Sequence, residues 1–185
     1  MDFTVEDLKR GLNASYQRNK KAKKTLAKSG FELDKKLSGK RAKVFVDEGG
    51  NATIAYRGTA NTHDVITDAS IPFGLVDKTK RVAHTRKIAN KVEDKYGTAN
   101  AIGHSPGGLL ADKSNVHGNI VTFNSAPGLS NKEGRIDIRT RGDLVSIMNK
   151  STPKTTTIND FNKINFLDAH KIKHLNKLDQ DTVLF

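Results

Sequence analysis

The sequence predicts an α/β fold: a compact core with a mostly parallel central sheet flanked by helices, and a helix at the N-terminal end. Three observations predict it. From residue 43 onward, short apolar runs alternate with stretches of helical periodicity, as in βα units whose strands lie parallel. Two strand-like runs, Lys43-Val-Phe-Val-Asp47 and Ala52-Thr-Ile-Ala-Tyr-Arg57, flank the turn residues Glu48-Gly-Gly-Asn51 and read as a hairpin. Finally, an apolar strand pattern runs into Gly103-His-Ser105-Pro-Gly107, with a helical pattern directly behind it.

Thr4, with Asp7 three residues on, has the form of a capping box and opens a helix that continues to Lys28. Val5, Leu8, Leu12, Tyr16 and Leu26 fall near helical spacing, so one stripe faces the core while the lysines face water. Gly11 weakens that helix by roughly 1 kcal/mol relative to alanine, and Gly30 ends it. Phe31, Leu33 and Leu37 pack the stretch that follows. After the hairpin, a loop beginning Gly58-Thr59 leads to a short helical piece over 64–69. Residues 77–96 form a long amphipathic helix, with Val82, Ile88 and Val92 among its apolar positions and Gly97 as its stop. A strand over 98–102, a helix over 106–113, and strands over 119–124 and 135–139 follow. Residues 151–157, rich in Ser, Thr and Lys, read as a surface loop, and 168–178 are helical in pattern. No internal repeat or low-complexity linker interrupts the chain. Residues 1–185 are therefore expected to form a single domain, with 1–40 as a basic helical segment packed on it.

The chain has 185 residues, 35% of them hydrophobic, enough for one core and too few for two comfortable ones. Aromatic residues make up 6% and there is no Trp, so Ile, Leu, Val and Ala must build most of that core. The absence of Cys excludes disulfides, zinc thiolate sites, iron–sulfur clusters and a cysteine nucleophile. The start, Met1-Asp-Phe-Thr-Val-Glu-Asp7, shows no secretory signal, and no apolar run reaches the roughly 20 residues that span a membrane. Cytoplasmic synthesis is expected, with later delivery by a particle or by lysis left open. Net charge is +12, which favours polyanionic partners. Only the stretch from Arg18 to Lys28 concentrates it; elsewhere the excess is spread over a solvated surface. The lysines from Lys20 to Lys28 are the candidate contact with nucleic acid or an anionic membrane.

Gly103-His-Ser105-Pro-Gly107 fits G-x-S-x-G in the strand–turn–helix context that gives the pattern chemical meaning. A nucleophilic Ser on so sharp a turn needs glycines at both flanks, where side chains would clash; Gly108 gives further room for helix and strand to approach. A Ser hydroxyl needs a base, and the base an orienting carboxylate. Downstream, Arg141-Gly-Asp143-Leu-Val145 offers an acid in a loop just after a strand, and Ala169-His170-Lys-Ile-Lys-His174 offers a base at the start of the last helix. Asp137 alternates with Ile136 and Ile138 and reads as a strand-face residue. His170 is preferred over His174 because it opens the helix; His174 reads as solvated. His104 adjoins the nucleophile but points away from it and reads as local packing. His63, His84 and His117 have no companion at metal-ligand spacing and read as surface residues, so no metal site is expected.

Six segments, in order, resemble the signatures of class 3 lipases within the α/β-hydrolase fold. They are Ile54-Ala-Tyr-Arg57-Gly58-Thr59, Asp64-Val-Ile-Thr-Asp68, Gly103-His-Ser-Pro-Gly-Gly108, Val121-Thr-Phe-Asn124-Ser-Ala-Pro127-Gly, Gly142-Asp143-Leu-Val145 and Ala169-His170. The resemblance runs from about Val44 to about Leu175. It implies an α/β-hydrolase-like core and an acyl hydrolase acting on lipid esters, with Ser105 as nucleophile, Asp143 as orienting acid and His170 as base. It also implies Thr59 as an oxyanion donor whose hydroxyl is held by Asp68. The segment that carries the lid in larger members is short here, and its apolar stretch is Ile71-Pro-Phe-Gly-Leu-Val76. One departure matters. The residue after the nucleophile supplies the second oxyanion N–H in that family, and here it is Pro106, which has none. Proline suits the first turn of a helix, but losing one oxyanion donor elsewhere costs roughly 100- to 1000-fold in turnover. Either another donor substitutes, the Gly107 N–H or the Thr59 hydroxyl together with its amide, or the enzyme is slow, or the site is degenerate.

Two functions follow. The first is a serine esterase, lipase or phospholipase that needs no metal or organic cofactor and takes lipid esters, with a preference for anionic phospholipid that its basic surface would hold. The second is a catalytically weak or inactive hydrolase-fold protein that binds nucleic acid or anionic membrane through its basic N-terminal helix.

Overall fold

The computed structural model describes residues 2–58, 80–130, 134–143, 145–146, 149, 154–159 and 166–185. The helical piece expected over 64–69, Thr59, Asp68, His63 and the apolar stretch 71–76 lie outside them.

Thr4 caps α1 (Val5–Ser15): its hydroxyl accepts the Asp7 N–H while the Asp7 carboxylate accepts the Thr4 N–H at 3.0 Å. The single helix expected to reach Lys28 is instead two. α1 stops at Ser15, Arg18 is extended, and α2 (Asn19–Leu26) folds back, followed by a 3₁₀ turn over Ala27–Ser29 and left-handed Gly30. A straight helix of that length would run roughly 36 Å and carry Leu26 away from the core that Leu8 and Leu12 enter. Folded back, Ala22 and Leu26 bury with them.

Seven strands form one sheet whose spatial order follows the chain: β1 (Glu32–Leu33), β2 (Ala42–Val46), β3 (Ala52–Tyr56), β4 (Ala99–His104), β5 (Ile120–Phe123), β6 (Arg135–Thr140) and β7 (Thr155–Ile158). β1, β2 and β3 pair antiparallel, and β3 to β7 pair parallel. The hairpin and the parallel core are as the sequence predicts. β7 is not: it lies in the stretch read as a surface loop. Its three threonines favour extended backbone, but only Ile158 is buried, so the edge strand carries no apolar alternation to betray it.

The sheet has two apolar faces. Phe45, Ala55, Ile102, Val121 and Phe123 face α1 and α2. Val44, Ile54, Tyr56 and Ala101 face α3 (Lys80–Tyr96) and α4 (Pro106–Asp112) through Val82, Ala89, Val92, Leu110 and Ala111. The expected C-terminal helix is also divided. α5 (Phe166–Ala169) ends at His170, Lys171 is extended, and a 3₁₀ turn covers Ile172–Lys177. No helix among the described residues is long and apolar enough to cross a membrane.

Candidate active site

β4 runs to His104, and Ser105 then takes φ 60° and ψ −135° before α4 begins at Pro106. Such a conformation costs a non-glycine residue on the order of 1–3 kcal/mol, and the packing around it leaves no alternative. A Cβ on Gly103 would stand 2.0 Å from the Gly107 carbonyl oxygen; one on Gly107 would stand 2.3 Å from that of Tyr56. The Ser105 N–H donates to the Phe123 carbonyl at 3.1 Å, fixing the turn to β5. Ser105 is buried, and its Oγ has no hydrogen-bond partner among the described residues.

At the end of β6, Gly142 (φ 86°) turns the chain, and the Asp143 N–H donates to the Thr140 carbonyl. The buried Asp143 carboxylate accepts from His170 Nδ1 at 2.8 Å and from the Val145 and Ser146 N–H groups at 3.3 and 3.0 Å. Burial pushes its pKa up, but the His170 bond, the charge of that ring and the Ser146 bonds outweigh it and hold the carboxyl below the usual range. Because a carboxylate only accepts, Nδ1 carries a proton, and in the neutral ring Nε2 then presents its lone pair. His170 Nε2 is buried and likewise has no partner among the described residues.

The peptide that carries this ring is held from two sides. Asn124 donates through Nδ2 to the Ala169 carbonyl at 2.9 Å while its Oδ1 accepts the Thr140 N–H at 2.7 Å. His104 Nε2 lies 2.7 Å from the His170 carbonyl, which can only accept, so the proton is on Nε2. His104 is neutral: burial, then the neighbouring His170, push it down to about 3. Its Nδ1 therefore accepts from the Tyr16 hydroxyl at 3.0 Å. Burial raises Tyr16 to about 12, and its oxygen in turn accepts the Gly58 N–H. A one-way series of hydrogen bonds thus runs from Gly58 through Tyr16 and His104 to the backbone of His170.

Residues 5–145 match the family described as the Tle-like phospholipase domain. The chain belongs to that family. Its α/β fold is the one the sequence predicts, and it is shared with a lipase of known structure. The family match takes in α1, Ser105 and Asp143 and stops short of His170. Lip2 lipase from Yarrowia lipolytica shares the fold, with 16% identity, TM-score 0.57, and coverage of 89% of this chain and 81% of that one. The extracellular lipase LipA from Serratia marcescens has 19% identity and TM-score 0.46, over 75% of this chain and 31% of its own. No curated protein matches the sequence.

His170 rather than His174 meets Asp143. His174 is not solvated as expected: it is 3% exposed, and its Nε2 meets the Asp168 carbonyl at 2.9 Å, because α1 packs over the 3₁₀ turn that carries it. Asp137 is a buried strand residue that accepts from Thr122 and Arg139 and lies outside the Asp143–His170 pair. His84 is exposed, and exposed His117 pairs with Glu93 at 2.8 Å. His104 does pack locally, but it also holds His170, with ring centroids 4.7 Å apart. Nothing in the sequence ties Tyr16, which falls in the core-facing stripe, or Asn124, which falls in one of the six signatures, to the position of His170. Gly58 and Gly107 touch, since a Cβ on Gly107 would stand 2.8 Å from the Gly58 nitrogen. The loop that leads into Thr59 therefore abuts the turn that carries Ser105.

Proposed function

We propose that this chain is a serine carboxylic-ester hydrolase acting on lipid acyl esters, a phospholipase that works through Ser105, His170 and Asp143. The observation that carries the reading is the Asp143–His170 bond, which leaves Nε2 of the neutral ring as a proton acceptor while Ser105 Oγ has no partner among the described residues on the strained turn. His170 Nε2 takes the Ser105 proton as Oγ attacks the ester carbonyl. Collapse of the tetrahedral intermediate breaks the ester C–O bond, and His170 returns the proton to the departing alcohol. Water then attacks the acyl-enzyme with His170 again as base, releasing the carboxylic acid and restoring the Ser105 hydroxyl. The developing oxyanion is received by Thr59, supported by Asp68, and by the Gly107 N–H in place of the donor that Pro106 lacks.

A fluorophosphonate probe applied to the native chain is expected to attach to the peptide that contains Ser105, and nitrophenyl esters of graded chain length to be turned over. No adduct, together with salt-sensitive binding of DNA or anionic vesicles, would mean the second reading, a hydrolase fold that binds without turnover. Pro106 motivates that reading, and it also supplies a test of the oxyanion assignment. Pro106→Leu is expected to leave turnover within a few-fold, because Gly107 completes the hole. A rise approaching 100-fold would mean that a donor is missing.

A further inference from the structure

A pocket of about 370 Å³ opens beside Tyr16, and Arg18, Lys40, Lys43 and Arg57 all line it, with no carboxylate among its lining residues. Lys43 is the informative one. It lies on the β2 face that Phe45 shares, against the turn between α1 and α2, and only 2% of it is exposed. Its ammonium donates to the Gly39 carbonyl, and it forms no ion pair among the described residues. Burial, then the nearby Arg57, push its pKa down. Arg57 stands over the Tyr16 ring at 5.7 Å and likewise has no carboxylate partner among the described residues. A buried ammonium facing a guanidinium is expensive unless an anion joins them.

The register says where such an anion would sit. Ala42 pairs with Tyr56 and Tyr56 with Gly103, so the start of β2, the end of β3 and the end of β4 are level across the sheet. Arg57 lies one residue beyond that level, on the side where Ser105 follows β4, whereas Lys43, on the antiparallel β2, lies one residue inside it, level with Ala55 and Ile102. Two strand spacings, roughly 10 Å, separate the β2 and β4 backbones. Tyr16 belongs to both places, lining the pocket while its hydroxyl reaches His104 beside the nucleophile.

We propose that this pocket receives the phosphate group of the lipid whose ester Ser105 attacks, with Lys43 and Arg57 as inner donors and Arg18 and Lys40 at the rim. The phosphate of a glycerophospholipid is separated from its ester carbonyls only by the glycerol backbone, which suits neighbouring places on one rim. The inference rests on the hydrolase reading above and assigns its headgroup subsite.

Lys43→Met tests it, because methionine keeps the apolar stem and removes the buried charge. Inorganic phosphate titrated into the full chain by calorimetry is expected to bind, at least about tenfold more weakly in K43M, the scale for losing a hydrogen bond to a charged group. With soluble dihexanoyl phosphatidylcholine, KM is expected to rise by a similar factor in K43M, while nitrophenyl butyrate is hydrolysed as by the native chain. Arg18→Gln with Lys40→Gln, both on the surface, should repeat the pattern more weakly. Phosphate binding through Lys43 with an unchanged KM for phospholipid would mean a free-phosphate site and overturn the headgroup assignment. Equal losses on both esters, or no phosphate binding while hydrolysis persists, would overturn the pocket alone. Phosphate binding without hydrolysis of any ester would instead sink the catalytic reading, and the headgroup assignment with it.

Discussion

Ser105→Ala is expected to lower kcat on a nitrophenyl ester by about a millionfold, the scale seen when a triad nucleophile is removed from a serine hydrolase. The fold should survive the change. Ser105 Oγ makes no hydrogen bond among the described residues, so its loss leaves no buried donor or acceptor orphaned. Alanine also faces the same backbone penalty at φ 60° as serine does. An unchanged urea midpoint beside abolished acyl-enzyme burst would isolate the chemistry from the fold. Retention of more than a tenth of the activity would assign the reaction to another nucleophile.

Asp143→Asn should cost about 10⁴ in kcat with KM little altered, as when a triad acid is replaced by its amide. The carboxylate uses both oxygens as acceptors, one for His170 and Val145 and the other for Ser146. An amide has one acceptor, and the peptide N–H groups cannot reverse. Its oxygen is therefore drawn to Ser146 while its NH₂ faces His170, which forces the imidazole proton from Nδ1 onto Nε2. In that tautomer the ring cannot take a proton from Ser105. The acid limb of stability has a matching sign. The native carboxyl titrates below its unfolded value, so its contribution is present above the ordinary aspartate pKa and is lost as pH falls through the native one. The asparagine variant should lack that part of the acid transition. A kcat within tenfold of native would remove Asp143 from the reaction.

How much of this could be read from the residues depends on the range of the forces involved. Gly103, Ser105 and Gly107 were conspicuous because a tight turn excludes side chains from positions fixed in the sequence, and Gly103 and Gly107 do pack backbone to backbone. Asp143 and His170 were readable from chain order and loop placement; they lie 2.8 Å apart. The Tyr16–His104 bond spans 88 positions, and nothing local distinguishes Tyr16 from another residue of an apolar stripe. The break at Arg18 was hidden because neither Gly nor Pro marks it; packing of Leu26 beneath α1, not propensity, decides it. β7 leaves no such trace in the sequence, because an edge strand with only Ile158 buried has no inward face to pattern. His174 is buried rather than solvated because a 3₁₀ turn advances side chains through a larger angle per residue than the α-helix its pattern predicts.

The bond that Tyr16 makes to His104 has an architectural consequence. The leading helix is a strut for the trailing loop, since the peptide that carries the imidazole leans on a ring that itself leans on the phenol. Shortened from the front to its hydrolase signatures alone, the polypeptide would keep Ser105, Asp143 and His170 but lose the brace beneath the imidazole.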